Sequence, residues 1–269
     1  MPDFSNIILS EDVFQEQWVS LQGTATLACR LNRLVRSEAL EIQDKEVNTD
    51  RGPKIMAELH QANIQMKYYD LVLFHLHNFV RDRLKKKEPF SILEVGTGHG
   101  YVITSIAKHL GGQYEGGSFF GLDINPDFIE FAKANAESAG VEIEFFATDA
   151  LKFARDSERK FDFIILSMVA HHMKPYYLYR FLAAMVPLTN KGVFIIDVRR
   201  DFFNIVKTKL FSLWNFWYSS DFKSDAIQSM RRSYTVDELN WLVSLVPGYQ
   251  RVAVLPRGDV FLTLEGVIA

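Results

Sequence analysis

The residues best placed to do chemistry are Glu94-Val95-Gly96-Thr97-Gly98-His99-Gly100. This run leaves an apolar stretch that reads as a strand and enters a pattern that reads as a helix. Glycines let a backbone turn tightly and let a ligand approach with no Cβ in the way. In doubly wound sheets ligands bind outside the carboxyl ends of the strands, so the turn is a candidate cradle for a nucleotide-type group. The spacing is G-x-G-x-G, with Tyr101 next, whereas dinucleotide-binding turns read G-x-G-x-x-G. An acid, Glu94, precedes the first glycine. It would serve a pyrophosphate poorly and an ammonium group well.

Three more residues fall at the ends of later strand-like runs. Asp123, followed by Ile124, lies about 20 residues past the turn, the spacing of a ribose-binding acid. Its other reading is a helix N-terminal acid beside Asn125-Pro126. Asp149, in Thr148-Asp149-Ala150, can accept an adenine exocyclic amine or cap a helix. Ser167 either faces the third part of the ligand or simply ends a strand. The set Glu94, Gly96, Thr97, Gly98, His99, Gly100, Asp123, Ile124, Asp149, Ala150 and Ser167 predicts a site for S-adenosylmethionine, with its methionine ammonium by Glu94, directly or through water.

His171-His172 follow the fourth strand, where a transferable methyl should lie. An imidazole titrates near neutrality and can take a phenolic or hydroxyl proton. The bland alternative has one ring bound to the backbone and the other lining the site passively. Alignment alone can supply much of the rate of a methyl transfer. No ligand cluster forms around these histidines, so no metal is expected. Arg199, in Asp197-Val198-Arg199-Arg200-Asp201, could fork onto a carboxylate or phenolate of the acceptor, or pair with Asp197 or Asp201. Phe203, Val206, Leu210, Leu213 and Trp217 fall on one helical face within the aromatic stretch 202–222. That stretch reads as a lid over an apolar acceptor, packed on the helix at 55–80, with Tyr69 and Trp214 as candidate acceptor contacts. Its alternatives are a core helix without a ligand, and an interfacial helix that dips into a membrane surface to collect a lipid-like substrate.

The elements that must position these groups follow from periodicity. Ile55, Leu59, Ala62, Met66, Tyr69, Leu73, Leu76 and Val80 form one apolar stripe, so a single helix should start at Gly52-Pro53 and end in the cations at 81–87 before Pro89. Strands are expected at 91–95, 118–123, 141–147, 161–167 and 192–197, alternating with helical patterns, which implies a parallel sheet. Thr235 and Glu238 make a capping box. Runs at 251–255 and 260–264, joined by Pro256-Arg257-Gly258-Asp259, make an antiparallel pair. The expected fold is α/β: a doubly wound, mostly parallel seven-stranded sheet with an antiparallel C-terminal hairpin and an N-terminal, largely helical cap. The cap would span 1–88 and the ligand-binding domain 89–269, with an aromatic insertion at about 199–232. The first 50 residues are the least readable.

Composition narrows the partners. A net charge of −3 over 269 residues gives no reason to expect nucleic acid. The lone cysteine, Cys29, permits no intrachain disulfide and fits a reducing compartment. Met1-Pro2-Asp3-Phe4 has no signal-peptide character, and no apolar run is long enough for a span, so a cytoplasmic location is expected.

Together these residues resemble class I S-adenosylmethionine-dependent methyltransferases over roughly 90–200. The resemblance implies Glu94, Gly96, Gly98 and Gly100 at the methionine end, Asp123 at the ribose and Asp149 at the adenine. Residues 161–172 look like the fourth-strand region of the small-molecule branch, which includes the ubiquinone and menaquinone methyltransferases. More loosely, Asp197-Val198-Arg199-Arg200 and Arg231-Arg232-Ser233-Tyr234-Thr235 resemble enzymes acting on polyketide or phenolic products. Neither an Asn-Pro-Pro-Tyr nor an Asp-Pro-Pro-Tyr run nor a paired-glutamate loop follows the fourth strand. The resemblance therefore implies O- or C-methylation of a small, aromatic or lipid-like acceptor. An NAD(P)-dependent oxidoreductase and a non-catalytic binding protein of this fold are the other readings.

Overall fold

A computed structural model describes residues 9–23, 27, 31, 37, 51–81, 83, 84, 88–214, 217–257 and 260–268. Cys29, Lys85 to Lys87 and the hairpin tip Gly258-Asp259 lie outside the described residues. Seven strands form one sheet: β1 (Phe90–Val95), β2 (Gly117–Asp123), β3 (Glu144–Ala147), β4 (Phe161–Ser167), β5 (Thr189–Val198), β6 (Tyr249–Arg257) and β7 (Phe261–Ile268). Their order is β3-β2-β1-β4-β5-β7-β6. The first five are parallel, and β7 runs antiparallel to both β5 and β6. The mixed α/β sheet and its C-terminal hairpin are thus as the sequence predicts.

The strands alternate cleanly between two apolar layers, as a sheet covered on both faces must. Phe163, Ile165, Phe194 and Ile196 face one layer; Ile164, Leu166, Val193 and Ile195 face the other. The first layer is closed by α3 (Tyr68–Val80) and α4 (Tyr101–Gly111). The second is closed by α1 (Glu11–Gly23), α7 (Pro175–Met185) and α10 (Val236–Ser244). The remaining helices are α2 (Arg51–Gln65), α5 (Pro126–Ser138), α6 (Ala150–Asp156), α8 (Phe202–Trp214) and α9 (Ser220–Arg232). In the poorly readable N-terminal stretch, α1 docks through Phe14 and Trp18, whose rings meet Tyr176, Tyr179 and Trp241.

Three expectations are corrected. The helix expected as one piece from Gly52 is two, because Lys67 adopts a left-handed conformation (φ 52°) between α2 and α3. The break changes the buried phase: Met66 is exposed, and Tyr68, Val72, Leu76 and Phe79 pack on the sheet. The third strand starts at Glu144, because Gly140 (φ 68°) and the Val141 N–H, bonded to the Ala136 carbonyl, close the C-terminus of α5. The aromatic insertion is two helices, and Ser219 caps the second by accepting from the Phe222 N–H.

The chain winds outward in both directions from the β1–β4 junction, which makes that junction the topological switch point where such sheets bind ligands. Register aligns the strand ends there: Val95 pairs with Leu122 and Leu166, Asp123 with Ala147, and Ser167 with Ile196. Glu94, Asp123, Asp149, Ser167 and Asp197 therefore come to one edge. Among the described residues, no helix is long and apolar enough to cross a membrane.

Candidate functional site

The turn after β1 is built by backbone geometry that favours glycine. Gly98 and Gly100 have φ of 52° and 75°. A Cβ on Gly100 would come within 2.8 Å of the Ala132 Cβ, so helix packing against α5 demands that glycine. Gly100 does not line the cavity above the turn, which corrects its expected ligand contact. A Cβ on Gly98 would meet only the Met56 Cε, at 3.8 Å, and Gly98 does line the cavity.

Two acids brace the turn. Glu94 Oε2 accepts from Thr97 Oγ1 at 2.8 Å and from the Ile103 N–H at 3.1 Å, joining β1 to the first turn of α4. Glu94 is buried, and burial pushes its carboxyl up to about 8 against the pull of those two donors. Asp123 accepts from the Gly98 N–H at 2.8 Å and from the Asn125 N–H at 2.9 Å. Burial raises its pKa while the backbone donors oppose the shift. Asp149 realises its capping reading: one oxygen accepts from the Lys152 N–H at 2.9 Å and the other from Tyr177 at 2.8 Å. Ser167 shares a 2.8 Å hydrogen bond with Tyr68, whose phenol burial pushes well above its ordinary value.

Glu94, Gly96, Thr97, Gly98, His99, Asp123, Ile124, Asp149, Ala150 and Ser167 all line one cavity of about 420 Å³. Met56, Leu59, Asn63, Tyr68 and Tyr69 form a further wall that the sequence did not assign to the cofactor. Tyr69, expected at the acceptor, is in this wall, with its hydroxyl 2.7 Å from His60 Nδ1. The lining suits an adenosyl amino acid. Asn125 Nδ2 and His99 Nε2 are buried in it with no hydrogen-bond partner among the described residues, and Ile124 presents an exposed apolar face beside Asp123.

A second cavity, of about 310 Å³, is walled by α2, α8, α9 and the turn after β4. Its lining is mostly apolar, with Ile55, Ala62, Phe211, Tyr218, Phe222 and Met230 among the walls. The helices are tied together by Tyr218 donating to Gln65 Oε1 at 2.8 Å and by Ser219 donating to Glu58. The two cavities share Leu59, Asn63, Met168 and His172. Met168 has φ 58°, a strained conformation for a non-glycine residue, and sits at that shared wall.

The histidine pair divides its work. His171 is buried in the second cavity's wall, with Nδ1 2.7 Å from Asp197 Oδ1 and its N–H donating to Oδ2 at 3.0 Å. His172 lines both cavities, and its carbonyl accepts from Arg232 Nη2 at 2.8 Å. Tyr234 donates to the Met173 carbonyl at 2.6 Å. Arg199 lines neither cavity; its N–H donates to the Val260 carbonyl at 2.6 Å. The neighbouring Arg200 is the buried arginine, bonded to Glu238 and to the Ser233 carbonyl. The Trp214 side chain lies outside the described residues. No three metal-ligating side chains gather among the described residues. Sequence reasoning missed Asp197 as the histidine's partner, and also Asn125, Met168 and Arg232. Only Asp197, at a strand end, carried a signal.

Residues 92–192 match a family model described as a methyltransferase domain. The ribosomal protein L11 methyltransferase of Dictyoglomus turgidum is 32% identical over 152 residues, 56% of this chain and 44% of that protein. The chain thus spans less than half the length of that curated relative. The plantazolicin methyltransferase BamL, in complex with a triazolic desmethylPZN analog and S-adenosylhomocysteine, superposes with a TM-score of 0.66 at 15% identity, covering 89% of this chain and 97% of that one. Magnesium protoporphyrin IX methyltransferase from Synechocystis, with S-adenosylhomocysteine bound, gives 0.52 at 14% identity, covering 96% and 95%. At these identities the structures share the fold.

Proposed function

We propose that this chain, which carries a class I S-adenosylmethionine-dependent methyltransferase domain, methylates a small, apolar or aromatic acceptor held between α2, α8 and α9. The observation that carries this reading is the wall common to the two cavities, at Leu59, Asn63, Met168 and His172. A cavity edged by carboxylates, suited to the cofactor, and a more apolar one, suited to the acceptor, meet where a methyl would change hands. When bound, S-adenosylmethionine supplies an electrophilic methyl group on a sulfonium.

The chain's own residues do the rest. Glu94 holds the methionine ammonium, Asp123 and Asn125 the ribose hydroxyls, and Asp149 the adenine amine beside Ile124. His171 takes the acceptor's hydroxyl or enol proton. Its Nδ1 is committed to Asp197, so the transfer runs through Nε2. Asp197 fixes the tautomer and stabilises the imidazolium as it forms. Arg232 and Tyr234 hold the carbonyls of His172 and Met173 and so position the 170–173 turn. The acceptor cavity is walled by helices and is nearly all apolar, which suits a small hydrophobic molecule better than an extended peptide.

The test combines S-adenosylhomocysteine calorimetry with transfer from radiolabelled S-adenosylmethionine to phenolic and hydroxylated-lipid acceptors. Ala226→Trp, on the cavity face of α9, should abolish turnover and leave S-adenosylhomocysteine affinity unchanged. Thermal stabilisation by NAD and not by S-adenosylhomocysteine would overturn the reading.

A further inference from the structure

The helix α8 is built inside out. A surface helix ordinarily buries its apolar stripe and shows its polar one. Here Asn204 and Ile205 are buried at 2% and 4% exposure, and Thr208 and Ser212 also line the inward side. The large apolar residues point outward: Phe203 is 71% exposed, Leu210 52% and Phe211 51%, and Trp217 just beyond the helix is 74% exposed. The periodicity that predicts a lid packed inward on α2 and α3 is present, but the face it marks looks outward.

Charge says what this face meets. From Phe202 to Ser220 the chain carries Lys207 and Lys209 and no carboxylate, within a protein of net charge −3. Both lysines are exposed. Two copies of α8 packed face to face would bring like charges together, whereas anionic lipid headgroups would attract the exposed Lys209. Phenylalanine, leucine and tryptophan above a lysine-bearing flank are the side chains of a helix lying in a bilayer interface. The face is also continuous with the acceptor cavity, because the exposed Lys207 and Phe211 line that cavity as well.

We propose that α8 and Trp217 dock the protein onto an anionic phospholipid surface, and that the acceptor is a hydrophobic molecule dissolved in that bilayer, entering the second cavity past Phe211. The identity of the acceptor rests on the proposed methyl transfer; the docking face does not.

The experiment is co-sedimentation with phosphatidylcholine vesicles, with and without phosphatidylglycerol. Wild type should bind the phosphatidylglycerol vesicles, and added salt should weaken binding by screening. Phe203→Asp with Leu210→Asp should lower the partition coefficient at least about tenfold, given two apolar side chains lost from the interface. Lys209→Glu should lower binding to the anionic vesicles only. All three substitutions are at exposed sites, so S-adenosylhomocysteine affinity should be unchanged, and that measurement reports separately on the methyl-transfer reading. Wild-type protein that binds S-adenosylhomocysteine but neither vesicle would overturn the docking face. So would a double variant that sediments like wild type, or a wild-type dimer that Leu210→Asp dissociates, which would assign the face to a second copy.

Discussion

The cofactor half and the acceptor half of this molecule are made in opposite ways. The first is the more polar of the two and is assembled from strand ends. Glu94, Asp123 and Asp149 each accept backbone N–H groups or neighbouring side chains before any ligand arrives. The second is mostly apolar and is assembled from three helices, with His171, hydrogen-bonded to Asp197, in its wall. In the first half the groups that would bind also hold the turn in shape. In the second, positioning is delegated to a strut behind the wall, Arg200 with Glu238 and Ser233, and to Arg232 on the His172 carbonyl.

The largest expected effect breaks that strut. Glu238 is fully buried, pairs with Arg200 and closes the capping box of α10. Glu238→Ala takes the carboxylate from a buried guanidinium, which costs about 3–5 kcal/mol. Urea denaturation should show the loss, and a value under about 1 kcal/mol would mean that the acceptor half stands without it. His171→Ala comes next. Acceptor turnover should fall by about 10²- to 10⁴-fold with S-adenosylhomocysteine affinity unchanged. Asp197→Asn should fall less and shift the pH profile of turnover. A His171→Ala enzyme of full activity would leave alignment alone to drive the transfer.

The same contrast explains what was legible. The cofactor half left local marks, because a polar group at a strand end stands out against the apolar run before it. Gly100 turned out to pack against Ala132, and Asp149 to cap α6, one of its two readings. Apart from His171, His172 and Asp197 at or after strand ends, the acceptor half left mainly periodicity. Periodicity located the α8 stripe but could not say which way it faced. It carried one stripe across 55–80 because a left-handed lysine at position 67 leaves no trace in residue type. Arg199 and Arg200 are adjacent and alike; only the path of the chain leaving β5 decides which is buried against Glu238. Asp197 was visible as a strand-end acid, but its pairing with His171 spans 26 residues and two strands.

The next prediction returns to the cofactor half. Asp123→Ala removes the acceptor for Gly98 and Asn125 together with the group assigned to the ribose. S-adenosylhomocysteine affinity should fall at least about tenfold by calorimetry, from one or two lost charge-assisted hydrogen bonds. Unchanged affinity would reduce Asp123 to a brace for the turn and erase the distinction between the halves.

The smallest effect concerns what the polar half costs before its ligand arrives. Folding raises the Glu94 carboxyl from 4.5 to about 8, so the folded chain keeps a proton that the unfolded chain releases. A raised acid penalises the folded state as pH climbs through that window, so the contribution is lost from about pH 4.5 to pH 8. Gln at this position still accepts from Thr97 and Ile103 but carries no charge. Glu94→Gln should therefore melt above the parent at pH 8, with the gap narrowing toward pH 5. Cofactor binding should run the other way. An ammonium beside Glu94 favours its ionised form, so the parent's S-adenosylhomocysteine affinity should tighten from pH 6 to pH 8 with release of a proton, and the variant's should be weaker and flat. Parallel melting curves at every pH, or a parent affinity that does not move, would show that the ammonium is held elsewhere. The buried acid would then be only a clamp on the first turn of α4, kept for the same structural reason as the glycine at position 100.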